Sequence, residues 1–215
     1  MRSRTRKTKS IILLSGGLDS LVSAAIAVKK TRPVCAFTFD YGQKAARMEI
    51  AAAKKICTHL RIRHRVTALP FFKEFKTCAL IEQGSSKKNR SLTRLKDVWV
   101  PNRNGLFINI AACFAEYYGA GLIVTGFNRE EAQDFPDNTD AFIQAINRSL
   151  TYSTLTRVKV KSFVSAYTKD EIYGLGLKMN APLDLVYSCY RGTKKMCGTC
   201  TSCKRFFKSK RAHEI

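Results

Sequence analysis

Short apolar segments of strand length alternate with longer helix-like segments through the first two-thirds of this 215-residue chain. Strands joined by helices form a parallel sheet, and such a sheet is covered by helices on both faces. The sequence therefore predicts an α/β fold of this kind. The periodicity predicts strands at 11–14, 34–39, 62–66 and 122–125, and helices at 19–30, 44–59, 105–118, 140–150 and from a capping box at Thr168–Glu171.

The net charge is the unusual feature of the composition. Lysine and arginine number 38 against 16 acidic residues, which gives +22. Such a charge attracts polyanions and small anionic molecules, and it also favours solubility. Nucleic-acid binding is therefore compatible with the chain but is not required by it. No apolar run reaches the ~20 residues that a membrane span needs, and no secretory signal is recognisable, so we expect a cytoplasmic protein.

We expect three segments along the chain. Residues 1–10 are predicted to form a basic N-terminal arm, 11–180 the α/β domain, and 181–215 a small cysteine-rich segment. A long polar and basic insert at 73–96 interrupts the alternating pattern. Loops of this length are often functional, and our hypothesis is a lid that closes over anionic ligands.

The segment Ser15–Ser20, Ser-Gly-Gly-Leu-Asp-Ser, lies between the first predicted strand and the first predicted helix. Open parallel sheets bind ligands at the carboxyl ends of their strands. Glycines let backbone N–H groups approach an anion, and a helix N-terminus adds unpaired donors. Asp19 could cap the helix or help to hold a metal ion. The alternative is a tight turn with no ligand, but the position at the first strand end favours phosphate binding.

Polar residues also follow other predicted strands or open later helices. Phe39, Tyr41 and Gln43 follow the second strand, where they could bind adenine or form only a turn. Arg103 offers a planar fork for a carboxylate or phosphate. The candidate substrate-binding residues are Arg103, Asn104, Asn128, Asp134 and Asp137.

Four of the eight cysteines are clustered near the C-terminus. Cys189, Cys197, Cys200 and Cys203 have the spacing C-x7-C-x2-C-x2-C, which predicts a metal site. Four thiolates suit tetrahedral Zn²⁺ in a structural role. An iron–sulfur cluster is the alternative, because C-x2-C-x2-C also occurs in ferredoxins.

The motif S-G-G-x-D-S after the first strand resembles the signature of the PP-loop superfamily of N-type ATP pyrophosphatases. This resemblance implies an adenine-nucleotide α-hydrolase-like fold and cleavage of ATP between the α and β phosphates. It implies a Mg²⁺ ion that neutralises the phosphates and a catalytic role for Asp19 at those phosphates. Arg103 is a further catalytic candidate for the α-phosphate or a substrate carboxylate, and Lys169 matches a position expected near the phosphates in the family named next. The nucleotide-binding residues are then Leu14, Ser15, Gly16, Gly17, Leu18, Asp19, Ser20, Phe39, Tyr41 and Gln43.

The S-G-G-L-D-S, F-D-Y-G-Q, V-P-N-R-N and S-C-Y…C-G-T-C-T-S-C stretches, in this order, are similar to the QueC family within that superfamily. The resemblance implies conversion of 7-carboxy-7-deazaguanine and ammonia into a nitrile by a homodimeric enzyme with ATP, and a structural zinc on the four cysteines. Many members have Cys-Arg where this chain has Asn138-Thr139, so a catalytic cysteine is not expected there.

Two other functions fit parts of the sequence. A PP-loop enzyme that modifies tRNA would suit the +22 charge, but no thiol is obviously placed for sulfur transfer. A nucleic-acid-binding zinc module would suit the C-terminal segment but leaves the phosphate loop unexplained. The source of the ammonia, and whether the product is used for tRNA or DNA, stay open.

Overall fold

A five-stranded parallel sheet in the order β3-β2-β1-β4-β5 organises the computed structural model. The structure describes residues 7–75, 78–81, 92 and 95–213. The strands are β1 (Lys9–Leu13), β2 (Arg32–Asp40), β3 (His64–Ala68), β4 (Leu122–Thr125) and β5 (Lys159–Ser162).

Helices connect these strands and continue after the last of them. Three short 3-10 turns cover Pro70–Glu74, Pro136–Asn138 and Leu183–Leu185. The helices are α1 (Leu18–Lys30), α2 (Ala46–Leu60), α3 (Leu95–Val98), α4 (Arg103–Tyr117), α5 (Arg129–Ala132), α6 (Asp140–Ser153), α7 (Lys169–Lys178) and α8 (Thr201–His213).

Successive residues of the central strand β1 face two separate hydrophobic clusters. Ile11 packs with Ile108 of α4, whereas Ile12 packs with Leu21 of α1 and Ile172 of α7. All of these side chains are fully buried. Since side chains alternate along a strand, the helices cover both faces of the sheet, as the sequence predicts.

The outer strand β5 and the start of the central strand β1 differ from the sequence prediction. Strand β5 has the sequence Lys-Val-Lys-Ser, in which only Val160 and Ser162 are buried. It was not predicted, because its alternating lysines resemble a polar loop; charged side chains of this kind protect an exposed sheet edge. At the other end of the chain, β1 begins at Lys9, within the predicted basic arm, because Lys9 pairs with Arg32 of β2.

Several predictions concern residues that the structure does not describe. Most of the insert at 73–96, which we expect to act as a lid, lies outside the described residues, as do residues 1–6 of the predicted arm. Within the described chain, no helix has the length and apolar composition of a membrane span.

Candidate functional site

A cavity of about 240 Å³ opens at the carboxyl ends of β1, β2 and β4. These are the three central strands of the sheet, and β1 lies between the other two. The first turn of α4 and the start of α7 close further sides of the cavity. Open α/β sheets bind their ligands at this position, so the fold places the cavity where the sequence predicts a nucleotide site.

The 15–20 loop (Ser15–Ser20) forms the floor of this cavity. Gly16 has a φ of +84°, and a Cβ on it would lie 2.8 Å from the Glu49 carbonyl oxygen. Gly17 is the N-cap of α1 and provides no side-chain cap. The first N–H groups of α1 therefore have no side-chain acceptor at the cap, as anion binding at a helix N-terminus requires.

The two hydroxyl groups of the loop are bonded within the loop itself. Ser20 Oγ donates to the Gly17 carbonyl oxygen over 3.0 Å, and Ser15 Oγ lies 3.1 Å from Ser20 Oγ. The Gly17 N–H in turn donates to Ser15 Oγ over 3.3 Å. In this state the two serines hold the loop in shape.

The end of β4 packs directly on the start of α1. A Cβ on Gly126 would lie only 2.7 Å from the backbone nitrogen of Ser20. Real Cβ atoms do not approach backbone so closely, so a glycine is needed at this position. The result is a fixed distance between the 15–20 loop and the polar segment that follows β4.

A buried cation lies between two carboxylates beside the loop. Lys169 Nζ is 2.5 Å from Asp19 Oδ2 and 2.8 Å from Glu131 Oε1. Burial, with a contribution from the Glu131 charge, raises the pKa of Asp19 to about 6 although Lys169 opposes this shift. The two carboxylates outweigh burial and raise the pKa of Lys169, which holds that amine protonated.

Asp19 also has an oxygen that nothing satisfies. Asp19 Oδ1 is buried and has no hydrogen-bond partner among the described residues. Burying a carboxylate oxygen without a partner is unfavourable. Carboxylates are the ligands that Mg²⁺ prefers, commonly together with substrate phosphates. The chemistry of Asp19 and Glu131 therefore fits a magnesium ion.

Arg103 projects into the cavity from the first residue of α4. Its Nη1 donates to the Tyr41 hydroxyl over 3.1 Å, and its guanidinium carbon lies 5.5 Å from the centre of that ring. Burial raises the pKa of Tyr41 to about 12, although the Arg103 charge opposes this shift. The tyrosine is therefore neutral and does not cancel the charge of Arg103, which stays available to an anionic ligand.

The end of β2 and the residues after it form an aromatic wall of the cavity. Phe39 stacks on Phe107 of α4 with ring centres 4.2 Å apart. Gln43 lines the cavity, but its amide is already used: it accepts from the Tyr41 N–H over 2.9 Å and donates to Glu49 over 2.9 Å. The stacked rings can pack against a planar base, whereas Gln43 mainly holds the turn.

The structure does not bring every predicted site residue to the cavity wall. Gly16 and Leu18 belong to the 15–20 loop but do not line the cavity, and Leu18 is part of the core. The Asn128 side chain caps α5 by accepting from the Glu131 N–H over 2.9 Å. Asp134 pairs with Arg205 over 3.0 Å. Asp137 faces Arg103 and Asn138 from outside the wall, and burial raises its pKa. The predicted residues in the wall are Leu14, Ser15, Gly17, Asp19, Ser20, Phe39, Tyr41, Gln43, Arg103, Asn104 and Lys169.

Several residues of the cavity wall were not predicted from the sequence, among them the polar residues Glu131, Ser188 and Tyr190. Glu131 follows the end of β4 by a few residues, and its position at that edge of the sheet was the available signal. Ser188 and Tyr190 line the cavity from the C-terminal segment. Their neighbour Cys189 suggested only a metal site, so no pattern in the sequence placed them beside the loop.

The four C-terminal cysteines come together in space. Their sulfur atoms all lie within 4.8 Å of one another, and those of Cys197 and Cys203 are 3.9 Å apart. Zn–S bonds of ~2.3 Å place the sulfurs of a tetrahedral site ~3.8 Å apart. The Cys200 N–H also points to the Cys197 sulfur, 3.4 Å away. The donor set fits one tetrahedral ion, since a cluster of several irons would hold the sulfurs farther apart.

The cysteine segment (Tyr187–Cys203) is attached to the 15–20 loop. The Tyr187 N–H donates to the Gly16 carbonyl oxygen over 2.9 Å. Farther along, Gly192 packs so closely that a Cβ would lie 1.9 Å from the Lys44 carbonyl oxygen. The metal ligands are thereby held next to the cavity rather than on a separate lobe.

A family model described as "Queuosine biosynthesis protein QueC" matches residues 9–211. A relative named 7-cyano-7-deazaguanine synthase, from Pelotomaculum thermopropionicum, is 50% identical over 213 residues, which cover 94% of this chain and 96% of the relative. Relatives with the same name are 47% identical in Desulforudis audaxviator (95% of this chain, 97% of the relative) and 40% identical in Methanosarcina mazei (92% and 91%).

Solved structures share the fold at low sequence identity. NMN synthetase from Francisella tularensis is 16% identical with a TM-score of 0.53, over 97% of this chain and 86% of that one. A 4-thiouridine synthetase, solved as an RNA complex with bound ATP, is 20% identical with a TM-score of 0.54, over 95% of this chain and 50% of that one. At these identities the likeness concerns the fold alone.

Proposed function

The chain belongs to the QueC family of queuosine biosynthesis proteins, and we propose that it converts 7-carboxy-7-deazaguanine and ammonia into 7-cyano-7-deazaguanine with ATP. The observation that carries this proposal is the shared cavity. The 15–20 loop, the buried Lys169 and the cation Arg103 all face one space beside an aromatic wall. Such a cavity suits a nucleotide and a planar acid together.

The reaction begins with an acid that is a poor acylating agent, because its leaving group would be oxide. A carboxylate oxygen attacks the α-phosphorus of ATP, and pyrophosphate leaves. Ammonia then displaces AMP from the acyl-adenylate and gives the amide. A second ATP adenylates the amide oxygen, pyrophosphate leaves again, and loss of AMP and a proton gives the nitrile.

The residues of the chain act mainly by positioning and charge. The backbone N–H groups of the 15–20 loop and Lys169 bind the pyrophosphate that leaves. Arg103 holds the substrate carboxylate or the α-phosphate, and Asn104 contacts the substrate beside it. Asp19 would hold Mg²⁺, and the ion would neutralise the phosphates. In this state Asp137 is close to Arg103 and the Asn104 amide, and it is better placed than Asp134 for a guanine-like edge.

The cysteines have a separate role. We assign Cys189, Cys197, Cys200 and Cys203 to a structural Zn²⁺, since four thiolates leave no open position for substrate. From the family resemblance we also propose a cytoplasmic homodimer, and sedimentation at micromolar concentration tests the dimer.

One reaction tests the proposed function. Purified protein is incubated with Mg-ATP, ammonium and 7-carboxy-7-deazaguanine, and the products and bound metal are measured by mass spectrometry. We expect the nitrile with AMP, pyrophosphate and one zinc per chain. The Ser15→Ala plus Asp19→Ala variant should give none of the products. ADP in place of AMP, or iron in place of zinc, would contradict the corresponding assignment.

The second candidate, a PP-loop enzyme that acts on tRNA, is favoured by the net charge of +22. It predicts AMP release that depends on added tRNA and not on the deazaguanine acid. The same assay with tRNA in place of the acid separates the two functions.

A further inference from the structure

Ser188 lies in the cavity wall next to the start of α1. Its Oγ is 3.8 Å from the position that a Cβ on Gly17 would occupy. The side chain is half-buried and belongs to the cavity wall. Ser188 therefore approaches the 15–20 loop from the side that the loop itself leaves open.

The backbone on both sides of Ser188 is fixed. The preceding Tyr187 N–H is bonded to the Gly16 carbonyl oxygen over 2.9 Å. The N–H of Ser188 itself donates to the Met196 sulfur over 3.3 Å. The next residue, Cys189, is one of the four clustered cysteines. The backbone that carries the hydroxyl is thus held at a defined place relative to the loop.

The hydroxyl of Ser188 differs from those of Ser15 and Ser20 in what it binds. The two loop serines are bonded to each other and to Gly17. Ser188 Oγ has no hydrogen-bond partner in the part of the chain that the structure describes. Its hydrogen is therefore available to an acceptor in the cavity.

The arrangement of the cavity indicates which acceptor this is. The aromatic wall formed by Phe39 and Phe107 suits a planar base, whereas Ser188 lies next to Gly17 at the N-terminus of α1. Helix N-termini bind phosphate oxygens, and hydroxyl groups commonly donate to the same oxygens. A phosphate group on the 15–20 loop would have Ser188 beside it.

We propose that Ser188 is a further pyrophosphate-binding residue, whose hydroxyl donates to the β- or γ-phosphate of ATP. The proposal rests on the proposed function, because it assumes that the 15–20 loop binds those phosphates. It also gives the cysteine segment a second role, since the segment that carries the metal ligands then supplies one donor of the nucleotide site.

Binding measurements test this assignment without turnover. The Kd values of Mg-pyrophosphate, a non-cleavable ATP analogue and AMP are measured by calorimetry for the wild type and for Ser188→Ala. A hydrogen bond to a charged group corresponds to at least about a 10-fold change in affinity. We expect that increase in Kd for pyrophosphate and the ATP analogue, and an unchanged Kd for AMP, which lacks the β- and γ-phosphates.

A matched pair of variants controls for changes in packing. Ser188→Thr and Ser188→Val have nearly the same shape but differ in the hydroxyl, so only the threonine variant should bind pyrophosphate within about 2-fold of the wild type, given the contribution of one such bond. Metal content and melting temperature of both variants are compared with the wild type.

The outcomes are distinguishable. Equal pyrophosphate affinity for the threonine and valine variants would overturn the assignment of Ser188. So would a loss of AMP affinity in parallel with that of pyrophosphate, which would indicate a deformed wall. A wild-type protein that binds neither pyrophosphate nor the ATP analogue would instead refute the proposed function.

Discussion

Two neighbouring glutamates of the short helix α5 belong to two different ion clusters. Glu131 points into the cavity, where Lys169 lies between it and Asp19 with only 9% of the lysine side chain exposed. Glu130 points outward, where Arg205 of α8 pairs with it over 3.2 Å and with Asp134 over 3.0 Å. Each cluster has one cation and two carboxylates, so burial is the main difference between them.

This difference decides what each cluster can do. Exposed ion pairs contribute little to stability because water and salt screen them. Removing one partner of a buried pair leaves an uncompensated charge and is strongly unfavourable. The inner cluster (Lys169, Asp19 and Glu131) is therefore a set of buried charges whose pairing a bound anion or metal ion can change. The outer cluster (Arg205, Glu130 and Asp134) mainly joins α8 to α5.

Lys169→Met should have the largest effect. It leaves Asp19 and Glu131 close together without a cation, and we expect a loss of roughly 3 kcal/mol or more in the free energy of unfolding. Formation of AMP should fall by more than about 100-fold, since a charged phosphate contact is lost. Urea denaturation and the nucleotide assay measure the two effects.

The control for this variant is Lys178→Met, which removes an exposed lysine from the last turn of the same helix α7. It should change stability by less than about 1 kcal/mol. A similar loss of unfolding free energy for the two variants would show that the buried ion cluster contributes no more to stability than an exposed lysine does.

The pH dependence of Asp19 should give the next largest effect. Its pKa in the folded protein is about 6, above the ordinary value of 3.8, mainly because of burial. Between pH 3.8 and about 6 the folded state binds the Asp19 proton more tightly than the unfolded state does. Protonation of Asp19 therefore stabilises the fold at low pH, and this stabilisation is lost as the pH rises through about 6. We expect a slope of at most about 1.4 kcal/mol per pH unit in this window.

Activity should have the opposite dependence, because an ionised Asp19 is needed to hold Mg²⁺. AMP formation should rise as the pH increases through about 6. Asp19→Asn should reduce the stability slope, whereas Asp140→Asn, on an exposed residue, should leave it unchanged. The same slope in Asp19→Asn and the wild type would assign the titration to other groups, such as Asp137, whose pKa burial also raises.

Arg205→Met should have the smallest effect. The Arg205 side chain is 29% exposed and its partners are 30% and 44% exposed, so we expect a loss of about 0.5–1 kcal/mol. This loss should shrink in concentrated salt, while that of Lys169→Met should persist. Melting curves at low and high salt make the comparison, and a salt-independent loss for Arg205→Met would refute the contrast between the clusters.

The sequence predicted the central sheet and the position of the 15–20 loop, because apolar strands and amphipathic helices have clear periodicities. It did not predict β5, whose lysines face solvent. It also did not predict the extent of α8, because the many charged residues of that helix obscure the apolar face to which the buried Phe206 belongs. The contact between Lys169 and Asp19 joins residues 150 positions apart. Local patterns contain no information on such a contact; the resemblance alone suggested that Lys169 belongs to the site.

The roles of the cavity residues were less predictable than the fold. Asn128 and Asp134 look like ligands in the sequence because they follow a strand end, but the structure uses their side chains for a helix cap and an ion pair. The same types of residue serve caps, salt bridges and ligands, so type and spacing alone do not separate these uses.

The hydrogen bond between Tyr187 and Gly16 joins nearly opposite ends of the described chain. A ribosome synthesises the 15–20 loop early and the cysteine segment much later. During translation the loop and its helix exist before the wall that carries Ser188 and Tyr190. A nascent chain can therefore form most of the sheet, but its nucleotide site is completed only after the cysteine segment has emerged and the four cysteines have come together.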